Sequence, residues 1–329
     1  MQKIALVRLS ALGDIVNSAF VLQFIKKNYP DSSITWVCEE VFAPLLAIHP
    51  NVDHLCALQL KKAKKQKSLS LLFTQIKHLR SLGNFDKIID MQGLIKSAVS
   101  ARVIGPNTHG FDKNSIREPL ASFFYKTTSA IPYEENVVLR NAKVVSDALG
   151  ISISKEEIEN KEPIFPVLHV DPFNHDKPNV VFVIGASRQN KIYPKEHLVD
   201  VINDLDVHAH IIWGNEAEKR DALFIAKETK KARLAPSMRL DELVSFISHA
   251  DLLIGNDTGP THMAWAQNRP SITLFGPTNE RMIFPTPQNI GIHSPSNVDI
   301  LHIDKNDDSI KEIDPHFVAT KAKELLHGL

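Results

Sequence analysis

Short apolar runs, each ended by a tight turn and followed by helical spacing, recur along this chain. That alternation leaves few folds open. Ile4 to Leu9 reads as a buried strand broken by Ser10-Ala11-Leu12-Gly13-Asp14. A helix from about Ile15 to Asn28 then sets Val16, Ala19, Phe20 and Phe24 along one face. Strand Ile34 to Val37, a helix over Phe42 to Ile48 and strand Val52 to Leu58 follow, so the chain opens β-α-β-α-β. Helical crossovers are what parallel strands require, and the pattern predicts an α/β doubly wound sheet. Helix Leu69 to Leu82, strand Lys87 to Asp90, helix Ala98 to Ile104 and helix Val137 to Leu149 fill out the first half.

Between Ser152 and Pro178 the periodicity stops, and Pro163, Pro166, Pro172 and Pro178 punctuate an acidic, polar stretch that reads as a domain edge. A second series begins at Asn179 to Ile184. Strands at His210 to Trp213, Ala232 to Leu234, the run before Asn256, and Ser271 to Phe275 alternate with helices over 195–205, 216–229 and 240–249. A length of 329 residues is comfortable for two domains. The expectation is two Rossmann-like domains facing a cleft: residues 1–165, residues 166–310, and a closing helix within 311–329 packing back towards the first half.

Composition removes several function classes. With 38 basic and 38 acidic residues the formal charge is zero, so nucleic acid is not an expected partner and anion recognition must come from local patches. Cys38 and Cys56 form neither a CxxC pair nor a disulfide framework, which fits a reducing cytoplasm. The start of the chain is not a secretory signal, and nowhere do roughly eighteen apolar residues run uninterrupted, so a membrane is expected to be touched rather than spanned. The fifteen histidines are scattered; the close pair His208 and His210 leads into a buried strand, and no metal site or cofactor is expected.

Ligands of doubly wound sheets bind beyond the carboxyl ends of the strands, so the loops there are the candidates. In Asp251 to Ala266 (DLLIGNDTGPTHMAWA) a strand runs through a tight turn into a helix, with Asp257 or Thr258 suited to cap it and Pro260 to its first turn. Free N–H groups and partial positive charge at such a start suit a phosphate, although the same residues also make an ordinary capped helix. Asp-Thr-Gly occurs in aspartic proteases too, but those are all-β. Asp14 reads either as a helix cap or as a general base. Ser187, Arg188 and Lys191 in GASRQNK offer hydroxyl, guanidinium and ammonium groups for a diphosphate, with a solvated surface lysine as the plainer reading of Lys191. Glu216 after Trp213-Gly214-Asn215 suits ribose hydroxyls or a cap, and His262 lies one turn into the key helix. Five lysines in the eight residues from Leu60 to Lys67 form either a solvated face or an attraction for an anionic surface.

Taken together, these stretches resemble the lipopolysaccharide heptosyltransferases, inverting enzymes of glycosyltransferase family 9 with the two-Rossmann glycosyltransferase-B fold. The resemblance rests on Val7 to Asp14 (VRLSALGD), Asp90 to Ser97 (DMQGLIKS), Arg117 to Ala121 (REPLA), Trp213-Gly214 with Glu216, and Asn256 to His262 (NDTGPTH). The second and third stretches point to the type I branch. By position, the resemblance implies Asp14 as catalytic base and Lys191, Thr258 and Gly259 on the diphosphate, with Ser187 and Arg188 beside them. It further implies Glu216 on ribose, Met238 near adenine, Asp257 on the heptose hydroxyls and His262 in support. Ser10, Gly13, Gln92, Lys96, Lys61, Lys62, Lys64, Lys65 and Arg117 would meet an acidic acceptor. The implied reaction moves heptose from ADP-heptose to Kdo of Kdo-lipid A, in the cytoplasm, in peripheral contact with the inner membrane. Alternatives are a heptosyltransferase acting on a later heptose acceptor, a nucleotide-sugar epimerase of similar architecture, and a two-domain sugar-binding protein.

Overall fold

The computed structural model describes residues 2–295, 298–299, 304 and 306–328. The chain divides into two compact units, residues 1–166 and 167–329. The first holds strands β1 (Lys3–Val7), β2 (Ser33–Glu39), β3 (His54–Leu58), β4 (Lys87–Asp90), β5 (Thr108–Phe111) and β6 (Thr127–Ser129), in spatial order 3-2-1-4-5-6. The second holds β7 (Asn179–Val183), β8 (His208–Ile212), β9 (Ala232–Leu234), β10 (Leu252–Asn256), β11 (Ser271–Phe275) and β12 (Asn289–His293), in order 12-11-10-7-8-9. Every strand pair in both sheets is parallel.

Burial explains which runs became inner strands. All five residues of β7, β10 and β11 are buried, as sheet centres covered by helices on both faces require. In the first unit Ala5, Val7 and Leu9 pack with Val37, Cys56, Ile88 and the helical residues Leu79, Ala101 and Ile104. Three strands have no counterpart in the apolar pattern. β5 (THGF), β6 (TTS) and β12 (NIGIH) are short edge or near-edge strands whose polar residues hide the periodicity.

Helix positions differ at two places that matter for function. The first helix starts at Leu12, not near Ile15, and a second begins at Val21. Asp14 therefore lies within the first turn instead of ahead of it. The lysine run is itself helical, Leu60–Gln66, stopped by Lys67 in the left-handed region (φ 49°). Ser68 then caps the helix Leu69–Arg80, its hydroxyl accepting from the Leu71 N–H. The closing helix, Pro315–His327, was expected against the first half; its buried residues Val318, Ala319 and Ala322 belong instead to the second unit's core, packed on helix Lys195–Asp204. Among the described residues no helix is long and apolar enough to cross a membrane.

Gly255 shows how tightly the second unit is closed. It pairs with Val183, and a Cβ at this position would lie 2.5 Å from the Val183 Cβ and 2.8 Å from the Thr261 Oγ1. Overpacking of this kind costs about 1–3 kcal/mol. Gly255→Ala is expected to lower Tm measurably in thermal denaturation, and an unchanged Tm would contradict that close approach of β7, β10 and the helix Gly259–Ala266.

Candidate active site

In each sheet the chain winds outward from an inner pair of strands, so the loops leaving those two strands diverge and leave a crevice. The pairs are β1 with β4 and β7 with β10. Ser10, Asp14, Gln92 and Lys96 gather at the first of these places, and Lys191, Asp257 and His262 at the second; Lys61, Lys62, Lys64, Lys65, Arg117 and Glu216 follow other strands.

At the first crevice, Arg8 follows β1 and is buried. Its Nη2 lies 2.7 Å from Asp14 Oδ1, and its Nη1 donates to the Met91 carbonyl beyond β4. The other Asp14 oxygen accepts the Ala11 N–H at 3.0 Å. Both oxygens thus hold a donor, yet the side chain keeps 29% of its exposure, so it is fixed in direction and still reachable. Beside it, Lys96 Nζ donates to Ser10 Oγ (2.9 Å), and Gln92 accepts from the Leu9 N–H (2.9 Å) while its amide nitrogen lies 3.4 Å from Ser10 Oγ. Gly13 lies in the same first turn as Asp14. Glu39, at the end of β2, is buried, and its carboxylate accepts the Lys61 N–H at 3.2 and 3.3 Å. Burial pushes the Glu39 carboxyl above its ordinary value, against the opposing pull of Lys61 and Lys96. Burial likewise lowers Lys96, with Glu39 acting the other way.

Lys61, Lys62, Lys64 and Lys65 are exposed along the helix Leu60–Gln66, and Lys61 Nζ sits 5.2 Å from the Phe42 ring centre. Arg117 is exposed, but its neighbour Glu118 accepts the Ile95 N–H at 2.7 Å. That bond ties the Arg-Glu-Pro-Leu-Ala segment to the first turn of helix Ile95–Ile104, which carries Lys96.

At the second crevice, Asp257 is buried at the end of β10. Its Oδ2 lies 2.5 Å from Lys191 Nζ, and its Oδ1 lies 3.2 Å from His262 Nε2. Burial alone would raise this carboxyl; His262 and Lys191 outweigh it and hold it well below the usual carboxylate range. Asp257 is therefore no helix cap. Thr258 takes the cap position without a side-chain bond, Pro260 lies in the first turn, and Gly259 opens the helix Gly259–Ala266. Lys191 reaches Asp257 because its loop is pinned: the Asn256 side chain donates to the Ile184 and Gly185 carbonyls (3.0 and 3.3 Å) and accepts the Tyr193 N–H (3.0 Å). Ser187 and Arg188 are exposed on that loop, and Met238 is half-buried after β9.

Glu216 and Glu218 stand in different surroundings. Glu216 is at the surface, its side chain 77% exposed and 4.0 Å from Lys219. Asn215 caps the helix, accepting from the Ala217 and Glu218 N–H groups, which turns Glu218 back over the strand ends. Its carboxylate accepts the Gly214 N–H at 2.6 Å and an Asn215 amide N–H at 2.7 Å. A Cβ on Gly185 would lie 2.3 Å from Glu218 Oε1, so this carboxylate bridges the loops after β7 and β8. The sequence signal was available: in Asn215-Glu216-Ala217-Glu218 the second acid stands at the third helical position, from which a side chain folds back over the cap. Glu39 carried no comparable signal, while Arg8 and Asn256 lie in the stretches Val7 to Asp14 and Asn256 to His262 without a role being read for either.

Comparison with known proteins agrees with the fold and the motifs. The sequence profile of glycosyltransferase family 9 (heptosyltransferase) matches residues 74–307. A lipopolysaccharide heptosyltransferase 1 of Campylobacter coli is 38% identical over 98% of both chains. Its namesake in Escherichia coli (strain K12) is 27% identical over 85% of this chain and 90% of that one. The solved structure of E. coli heptosyltransferase WaaC with ADP-2-deoxy-2-fluoro heptose superposes with a TM-score of 0.80, at 24% identity, over 98% of this chain and 99% of that one, and shares its fold. The span of the profile and the full-length identity make the assignment: the chain belongs to glycosyltransferase family 9, the heptosyltransferases.

Proposed function

We propose that this glycosyltransferase moves L-glycero-D-manno-heptose from ADP-L-glycero-β-D-manno-heptose to a Kdo residue of Kdo-lipid A, in the inner core of lipopolysaccharide. The observation that carries the substrate assignment is the full-length identity to a heptosyltransferase 1. Asp14 removes the proton of the acceptor hydroxyl as that oxygen attacks the anomeric carbon. The bond from that carbon to the diphosphate oxygen breaks on the opposite face, ADP departs, and the new linkage is α. Arg8 and the Ala11 N–H aim the Asp14 carboxylate, leaving lone pairs free for the incoming proton.

Charge gathers on the departing diphosphate, and Lys191 with the free N–H groups at Thr258-Gly259 offsets it. Lys191 starts from an ion pair with Asp257, so a diphosphate would compete for an ammonium already held at the right place. Asp257 and His262 are then left to the sugar hydroxyls, Glu218 to ribose, and Met238 to the adenine side. Ser10, Gln92, Lys96 and Arg117, with the lysines of Leu60–Gln66, receive the carboxylates and phosphates of the acceptor. An acceptor of this kind is lipid-borne, and the reading includes work at the cytoplasmic face of the inner membrane.

ADP release from ADP-heptose, with and without Kdo-lipid A and with an already heptosylated acceptor in parallel, tests the assignment. Turnover is expected only with the Kdo acceptor; turnover without any acceptor would mean another reaction class. Asp14→Asn preserves shape and is expected to cut kcat by about 10²–10⁴-fold. Near-normal turnover in that folded variant would remove Asp14 as base. Lys191→Ala is expected to lower kcat on the order of 10²-fold. Because it removes the ammonium beside the buried Asp257, Tm is recorded alongside. Glu218→Gln should raise the donor KM about tenfold or more, the usual worth of a hydrogen bond to a charged group, whereas Glu216→Gln should leave it unchanged. The reverse ranking would place ribose at Glu216.

A further inference from the structure

Residues 54–85 contain six lysines and one arginine and no acidic residue, in a protein whose formal net charge is zero. Helix Leu69–Arg80 lies in this stretch and turns Gln75 and Leu79 into the protein. Beside that buried face, towards its N-terminal end, it exposes Leu69 (69%), Leu72 (39%) and Phe73 (67%), which at spacings of three and four stand together on one side. The apolar stripe of this helix is therefore wider than the part the core covers.

The apolar exposure continues onto neighbouring elements. Helix Leu69–Arg80 packs on helix Ile95–Ile104, which exposes Ile95 and Val99. That helix packs in turn on the 3-10 segment Pro119–Phe124, which exposes Leu120 and, at 80%, Phe123. Seven of the thirteen large apolar residues exposed among the described ones thus fall on three elements packed in succession, which scattered surface residues would not do.

We propose that these three elements form an interfacial face by which the first unit lies on an anionic lipid bilayer. Leu69, Phe73, Leu120 and Phe123 enter the headgroup boundary while the neighbouring lysines meet lipid phosphates. The chemistry selects this occupant. A second copy of the chain docked through a two-fold axis would press the lysine stretch against itself, and like charges would oppose it. Anionic headgroups over an apolar layer satisfy both halves of the face. The proposal rests on the lipid-borne acceptor argued above and deepens it: Lys96 shares a helix with Ile95 and Val99, so docking would bring Lys96 and its partner Ser10 towards the membrane plane.

The test uses the full chain and vesicles containing no acceptor. Wild type should float with vesicles of phosphatidylglycerol and phosphatidylethanolamine, be released by salt, and float weakly with phosphatidylcholine alone. Leu69→Ser/Phe73→Ser and Leu120→Ser/Phe123→Ser should each weaken partitioning on the order of tenfold. Because all four residues are exposed, Tm should stay unchanged, as should turnover of a Kdo acceptor stripped of its acyl chains. Double variants that float as wild type does would overturn the proposal. So would a wild type that ignores anionic vesicles, or serine variants whose main effect is to dissociate a wild-type dimer in sedimentation. If wild type floats but turns over no soluble acceptor, the face stands and the functional reading fails.

Discussion

A parallel sheet wound outward from its centre has one place where consecutive crossovers leave in opposite directions, and the centre of the proposed site in each unit is arranged by that constraint. The strand orders 3-2-1-4-5-6 and 12-11-10-7-8-9 put it between β1 and β4 in one unit and between β7 and β10 in the other. Backbone N–H groups and helix starts open there, and buried strands behind them supply a rigid floor. Arg8, Asp14, Gln92 and Lys96 meet at the first. Lys191, Asn256, Asp257 and His262 meet at the second.

The two central acids stand in different environments. Asp14 retains access to solvent, and its partners leave part of each oxygen free, as the proposed role of proton acceptor requires. Asp257 is sealed, and its two oxygens are taken by an ammonium and an imidazole. Taking such a carboxylate out of water is costly unless it is paired on both sides, so Asp257 stabilises the fold only while its partners stay in place. Its folded-state carboxyl titrates below the unfolded one; the stability this contributes is present above the unfolded value and is lost as pH falls towards the folded one. A residue that fixes Lys191 in this way is positioned to give it up only to a group of greater negative charge.

The sequence made much of this legible and hid the rest for identifiable reasons. Inner strands such as Ile4 to Val7 and Asn179 to Val183 announce themselves, because burial on both faces demands an unbroken apolar run. The edge strands β5, β6 and β12 do not, since Thr, His and Asn serve equally well in a strand and in a loop. Asp14, Lys191 and the Asp257–His262 stretch were recognisable as strand-end residues. Which oxygen meets which cation was not, because Arg8 and Asp14 become neighbours through the backbone turn at Ser10–Ala11, not through their spacing. Glu216 is the first acid after Trp213-Gly214, but it is the third helical position, Glu218, whose side chain folds back over the strand ends, and spacing alone does not show that.

One device recurs in both units and explains how loops from different strands stay in register. At the first crevice the Gln92 carboxamide accepts the Leu9 N–H and approaches the Ser10 hydroxyl, tying the loop after β4 to the loop after β1. At the second the Asn256 carboxamide accepts the Tyr193 N–H and donates to the Ile184 and Gly185 carbonyls, tying the end of β10 to the loop after β7. The second tie needs a donor and an acceptor on one short side chain, because the backbone offers the Tyr193 N–H on one side and the Ile184 and Gly185 carbonyls on the other. A carboxylate would repel the carbonyls, and an ammonium would have nothing to accept with. A neutral amide also adds no charge beside Asp14 or Asp257, so the loops are held without disturbing the acids that the proposed chemistry uses. The strand ends therefore separate two tasks: amides set the geometry, and ion pairs set the charge.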